Sequence, residues 1–341
     1  MTAPEWIADP RPHAFSDFDF GFDEPIAEAH AALTADIVAI PPRTATIRVS
    51  GTDTDAFLQG QFSNDIRELT PSRAQITSWN SAKGRVLAVI TASRIDGGDV
   101  LLEVSEEIAE PTLKRLRMFV MRSKVTLTGA SAEWRSFGIA GSGCAAALAG
   151  AGLPVPQDVW SCAETNGAIV LRRPGTTPRY TVHGSAQRLA PLWQSLADNL
   201  RPVGSAAWRL LDILAGVPTI HATTQDHFVA QMLNLDSLGG INFKKGCYTG
   251  QEVIARMHYL GNLKRRLYMA YTAHASATPG QTIYSANGDG QPVGEVVDSA
   301  PHPTRGNALL AVLQTAATGA ALRLNAVDGA AVEDVESLIS K

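Results

Sequence analysis

The chain has 341 residues, enough for two or three domains, and 45% of them are hydrophobic against 18% charged, an ordinary balance for a globular protein with a buried core. Its net charge of −4 argues against a whole-surface nucleic-acid binder, so any anion-binding role has to be local. Cys144, Cys162 and Cys247 are odd in number and form no CxxC pair, which argues against a disulfide framework and against a self-contained zinc or cluster site. No metal site is expected, and a reducing, cytoplasmic location fits. The opening MTAPEWIADPRPHAF lacks the basic start and apolar run of a signal peptide. No stretch of 18 uninterrupted apolar residues suggests a membrane span.

In chain order, residues 1–25, rich in Pro, Asp and Phe, suggest an irregular arm. Residues 26–40 read as a short helix running into a strand ended by Pro41-Pro42, and 44–50 alternate as a strand. A helix is predicted over Asp53–Gln59 with Thr52 as its cap. Residues 74–95 suggest two strands joined through Asn80-Ser81-Ala82-Lys83-Gly84, followed by a strand at 100–105. A helix over 106–122 has an apolar face at Leu113, Leu116, Phe119 and Val120. Strands are expected at 124–129, 135–140, 168–172 and 179–182, with a small helix and loop over 141–160. Helices are expected at 185–199 and 205–215, separated by a break at Pro202. From Leu263 onward, short alternating segments between Gly, Pro, Asn and Asp predict a small β-barrel or sandwich.

The densest chemistry lies in Gly239–Arg266, GGINFKKGCYTGQEVIARMHYLGNLKRR. Lys244, Lys245, Arg256, Lys264, Arg265 and Arg266 crowd together with Glu252 as the only acid, a positive patch in an acidic chain. Gly246 and Gly250 bracket Cys-Tyr-Thr, letting backbone N–H groups approach a ligand. Residues 249–260 predict a helix, with Thr249 and Glu252 forming a capping box. A helix N-terminus beside lysines favours an anion and would favour the thiolate of Cys247. The plainer interpretation is that a basic run is a solvated face, that a lone cysteine is a small buried hydrophobe, that Tyr248 is a core aromatic, and that Gln251 and Glu252 serve the cap.

Lys245-Gly246-Cys247-Tyr248-Thr249-Gly250-Gln251-Glu252 resembles the signature octapeptide of the YgfZ family. Asn234, Gly239-Gly240, Phe243 and the string Arg256…Tyr259-Leu260-Gly261…Lys264-Arg265-Arg266 are similar to its flanks. Gly51…Asp53…Phe57-Leu58-Gln59-Gly60-Gln61-Phe62-Ser63-Asn64-Asp65 resembles its first motif, Lys83-Gly84-Arg85 its second, and Arg209…Gly216-Val217-Pro218 the segment before the octapeptide. The likeness spans about residues 40–330, in outline only over 141–200.

The resemblance implies an α+β fold like the glycine-cleavage T-protein: three domains in a ring, ending in an antiparallel β-barrel. The corresponding division is 1–50 and 124–262 as a folate-binding core, interleaved with 51–123, then a barrel domain over 263–341. It implies tetrahydrofolate as cofactor. Lys245, Arg209 and Arg256 would face the glutamate tail, and Asn80, Gln61 and Tyr248 the pterin. It further implies support for iron–sulfur cluster assembly or repair in client proteins, including enzymes that modify tRNA, with Cys247 as a redox-sensitive or transient ligand. The T-protein's folate-activating aspartate has no counterpart in Gly84-Arg85-Val86-Leu87-Ala88-Val89, which argues against aminomethyl transfer. Two alternatives stay open. One is a folate-dependent one-carbon transferase with Asp65 or Glu252 as base. The other is an RNA-binding module on Lys244–Arg266, against which the sparse aromatics Tyr248 and Tyr259 weigh, so no direct nucleic-acid partner is expected.

Overall fold

A computed structural model describes residues 21–95, 97–261, 263–273, 277–286 and 290–339. Most of the predicted N-terminal arm, residues 1–20, lies outside them. The chain runs α1 (Pro25–Thr34), β1 (Ile37–Ala39), β2 (Thr44–Ser50), α2 (Thr54–Gln61), β3 (Gln75–Asn80), β4 (Val86–Arg94), β5 (Val100–Ser105) and α3 (Glu106–Met118). It continues through β6 (Thr126–Gly129), β7 (Arg135–Ala140), α4 (Cys144–Gly150), β8 (Cys162–Thr165), β9 (Ala168–Arg172), β10 (Arg179–Gly184), α5 (Ala186–Ala197), β11 (Arg201–Val203) and α6 (Ser205–Leu214). After α7 (Gln251–Tyr259) come β12 (Arg265–Thr272), β13 (Thr282–Ser285), β14 (Pro292–His302), β15 (Gly306–Gln314), β16 (Leu322–Leu324) and β17 (Ala331–Ser337).

Two compact units divide these elements. The first comprises Met1–Thr54, Glu68–Gln75 and Thr91–Ala215. Its six-stranded sheet has the order β11-β1-β7-β10-β9-β8. Side chains alternate between the two faces of a strand, and the sequence uses both faces. Val38, Phe137, Ile139 and Val182 pack with Leu189, Leu192 and Trp193 of α5, while Ile37, Ala39 and Val203 pack with Ala31, Ala32, Trp208 and Leu211 of α1 and α6. Gly138 is needed there, because a Cβ on it would sit 2.3 Å from the Trp208 ring. The unit also holds β5, β2 and β6 of a second sheet, with the last residues of β4 paired to β5.

The second unit comprises Asp55–Arg67, Ile76–Ile90 and Gly216–Lys341. Strands β12-β15-β14-β13-β16-β17 close an antiparallel barrel around Ala270, Ile283, Val296, Leu309, Ala311, Leu313, Leu322 and Leu324. Closure removes the exposed edges of the barrel. Among the described residues, no helix is long and apolar enough to cross a membrane.

Four local expectations are corrected. Pro202 does not break the chain: it is the middle residue of β11, which pairs parallel with β1 at the edge of the sheet, where a missing N–H is tolerated. Helix α3 stops at Met118, and its buried stripe is Ile108, Thr112 and Leu116, leaving Phe119 exposed. Thr52 does not cap α2; its hydroxyl meets Asp53 Oδ1 at 3.4 Å, while Thr54 Oγ1 donates to Gly51 O. Thr249 does not cap α7, whose N-cap is Gly250 in the left-handed region with φ of 81° and no side-chain cap bond.

Candidate functional site

The octapeptide and its neighbours lie in the second unit. Helix α2 ends at Gln61, leaving carbonyls without intrahelical partners. The next residues, Ser63-Asn64, turn back onto the loop that leads into the octapeptide. Ser63 Oγ donates to Gly240 O at 2.7 Å and Asn64 Nδ2 to Gly239 O at 2.7 Å, while Asn242 N donates to Ser63 O at 3.0 Å. Thr77 and Ser78 on β3 complete a buried hydroxyl network around Ser63 and Asn64.

Into this turn Lys245 extends its ammonium. Nζ donates to Gln59 O at 2.8 Å, Phe62 O at 2.6 Å and Asn64 O at 2.8 Å, and Thr249 N donates to Gly60 O. An ammonium has three hydrogens, and all three are taken. Lys245 is only 5% exposed and its Nζ lies 4.9 Å from the centre of the Tyr248 ring. Burial pulls its pKa down to about 8 against the attraction of Asp65, so the three-hydrogen form prevails at neutral pH. This corrects the role drawn from the basic cluster. Lys245 clamps the end of α2 to the octapeptide and has no hydrogen left for an external carboxylate. Tyr248 is buried beside it, and burial pushes its phenol pKa up.

The turn between β3 and β4 supports the loop from the other side. Gly84 and Gly250 meet backbone to backbone. A Cβ on Gly250 would lie 2.6 Å from Ser81 O and 2.8 Å from Gly84 Cα, and one on Gly84 would lie 2.7 Å from Val253 Cβ. Asn80 and Gln61 are buried nearby in sequence terms on β3 and α2; Ser78 Oγ approaches Asn80 Oδ1 at 3.2 Å, and Trp79 Nε1 donates to Gln61 Oε1 at 3.4 Å.

Between these supports the loop presents Gly246 and Cys247 outward. Cys247 is exposed, whereas Cys144 and Cys162 are buried, the first pushed up to about 11 by burial. A Cβ on Gly246 would meet nothing within 4 Å, so the space beside Cys247 is open. Gln251 Nε2 reaches Lys245 O at 3.5 Å; Glu252 and Arg256 are exposed on α7, whose inward residue is Ile254. The basic cluster divides: Lys244, Arg256 and Lys264 are exposed, while Arg266 is paired with Asp236 at 2.7 Å. Arg209 lies on α6 in the first unit.

Two contacts at the site had no counterpart in the sequence reading. Asp65 is paired with Arg67, which holds its carboxyl down to about 2. Phe243 stacks on His258 with ring centres 3.7 Å apart and planes 13° from parallel. The buried polar run Ser63-Asn64-Asp65 directly after a helix was the available signal for the first.

The chain matches no family model. It is 32% identical over 222 residues to the tRNA-modifying protein YgfZ of Colwellia psychrerythraea, covering 65% of this chain and 67% of that one. It is 31% identical over 268 residues to the protein of the same name from Cronobacter sakazakii, covering 78% and 80%. Among solved structures, it resembles the glycine cleavage system aminomethyltransferase T from Bartonella henselae, with a TM-score of 0.76 over 92% of this chain and 88% of that one at 16% identity. That likeness gives the fold.

Proposed function

The chain belongs to the YgfZ family, and we propose that it binds tetrahydrofolate in the cytoplasm and supports assembly or repair of iron–sulfur clusters in client enzymes, including enzymes that modify tRNA. The observation that carries this reading is the exposed Cys247 on a loop held at both ends by buried contacts, with open space beside Gly246. A thiol on a fixed loop is positioned without an ordering cost at each encounter.

The donor set fits an acidic pteridine. Amides at Asn80 and Gln61 match the alternating donors and acceptors of a pterin edge, and the Gln61 amide nitrogen has no hydrogen-bond partner among the described residues. Arg256 supplies an exposed guanidinium for a carboxylate tail. Lys245 and Tyr248 serve by holding the loop, Gly246 by leaving room, and Gln251 and Glu252 by opening α7. Bound tetrahydrofolate would supply one-carbon or redox chemistry; Cys247 would supply a sulfur ligand or thiolate to a cluster in transit, since one cysteine cannot retain a cluster alone. Strand β4, VLAVITASR, carries no carboxylate, which favours this reading over aminomethyl transfer.

Two measurements test it. Calorimetric titration of the full chain with 5-formyltetrahydrofolate is expected to give saturable binding that Arg256→Ala weakens about tenfold, roughly 1.4 kcal/mol. Cys247→Ser is expected to leave that binding intact and abolish maintenance of a client tRNA-modifying enzyme. Absence of binding heat, or full client activity in Cys247→Ser, would overturn the reading.

A further inference from the structure

The first unit contains a second buried cation in a different situation. Arg179, at the start of β10, is 1% exposed. Its Nε donates to Pro174 O, and the loop Pro174–Pro178 wraps its stem so tightly that a Cβ on Gly175 would lie 3.0 Å from Nε. Asp212 of α6 lies 2.8 Å from Nη2 and takes up that nitrogen, whereas Nη1 has no hydrogen-bond partner among the described residues. The guanidinium centre also lies 5.3 Å from the centre of the Trp208 ring.

Arg179 borders a cavity of about 80 Å³, room for roughly five waters. Its other walls are Ala32 and Leu33 of α1, Leu211, Leu214 and Ala215 at the end of α6, and the exposed lip Gly175-Thr176-Thr177. A buried cationic donor without an acceptor is costly, and the missing acceptor is worth more when it carries charge. The surroundings are rich in positive charge, since Arg172 and Arg173 both act on Arg179. The walls set the rest of the ligand's chemistry. Aliphatic side chains from two helices favour a short hydrocarbon, and the threonine hydroxyls at the lip can donate to an oxyanion.

We propose that this cavity is a binding site for a short aliphatic monocarboxylate, its carboxylate taken by the unpartnered Nη1 of Arg179 with the Thr176–Thr177 lip, and its alkyl end by Leu33, Leu211 and Leu214. Inorganic phosphate, being compact and strongly hydrated, fits the apolar walls less well. The site shares no residue with the Cys247 loop, so the two proposals stand or fall separately.

The probe is propionate, with propionamide as its neutral isostere. Titration of the full chain, followed by line broadening of ¹³C-carboxyl propionate and by the shift in Tm, is expected to give saturable binding with a dissociation constant on the order of a millimolar, as suits a ligand of about five heavy atoms. Propionamide and phosphate are expected to bind at least tenfold more weakly. Leu33→Trp, at a partly exposed wall position, is expected to fill the cavity and abolish propionate binding without lowering Tm. Arg179→Lys, if it folds, is expected to lose binding as well. Equal responses to propionate and propionamide, or a propionate affinity that Leu33→Trp leaves unchanged, would overturn the proposal and leave the cavity to water.

Discussion

Lys245 and Arg179 are both cations buried to within a few per cent of complete enclosure, and the two regions that hold them treat the charge in opposite ways. Around Lys245 every hydrogen of the ammonium meets a backbone carbonyl. Around Arg179 the Asp212 carboxylate takes up Nη2, but Nη1 completes no hydrogen bond among the described residues. The comparison separates two uses of a buried charge. A saturated one belongs to the scaffold. One with donors left over and a cavity beside it is placed to meet something from outside.

The sharpest way to break this contrast is Lys245→Met. It leaves three carbonyls at the end of α2 without a donor, so the loss of stability is expected to be about 3–4 kcal/mol in urea denaturation, with Cys247 becoming more reactive toward thiol reagents as the loop loosens. A loss below about 1 kcal/mol would show that the clamp is not structural.

Next in size is Gly250→Ala. A Cβ there meets Ser81 O and the Gly84 backbone at φ of 81°, so a cost of about 2–3 kcal/mol is expected, read by the same denaturation midpoint. The Arg179 region should respond more mildly when both charges are removed together. Arg179→Met combined with Asp212→Leu is expected to change stability by less than about 1 kcal/mol, whereas Arg179→Met alone strands Asp212 and costs about 3 kcal/mol.

The smallest effect is on pH dependence beside the clamp. Asp65 has its folded pKa depressed to about 2 by Arg67, below the ordinary 3.8. A depressed carboxylate contributes stability above its unfolded pKa and loses it as pH falls through the folded one. Arg67 is well exposed, so that contribution is expected to be only about 1 kcal/mol. Asp65→Asn should therefore be less stable than the parent at pH 6 and converge with it only as pH falls below the folded pKa of about 2; a difference that stays unchanged between pH 6 and that range would assign the effect to packing.

Much of the fold was legible because it is written in local periodicity. The alternation after Leu263 gives β12 to β16, and the apolar spacing of 185–199 gives α5 with its buried Leu189, Leu192, Trp193 and Leu196. β17, which closes the barrel against β12 and β16, was not legible: Ala331–Ser337 carries three acids and only one fully buried residue, so nothing local marks it as a strand. Pro202 misled for a related reason, since a proline forbids a central strand but not the edge position that β11 occupies.

At the site, the sequence alone determined which residues are clustered: glycines flanking Cys247, cations around them, and the octapeptide that marks the family. Short-range spacing is enough for that. Only the tertiary structure decided what each cation does. The carbonyls that hold Lys245 come from residues 59–64, more than 180 positions earlier in the chain, and the glycine that receives Gly250 comes from the β3–β4 turn. Hydrogen-bond saturation is a property of three-dimensional neighbours. No pattern within a single segment can tell a lysine that locks its own loop from one that waits for a ligand.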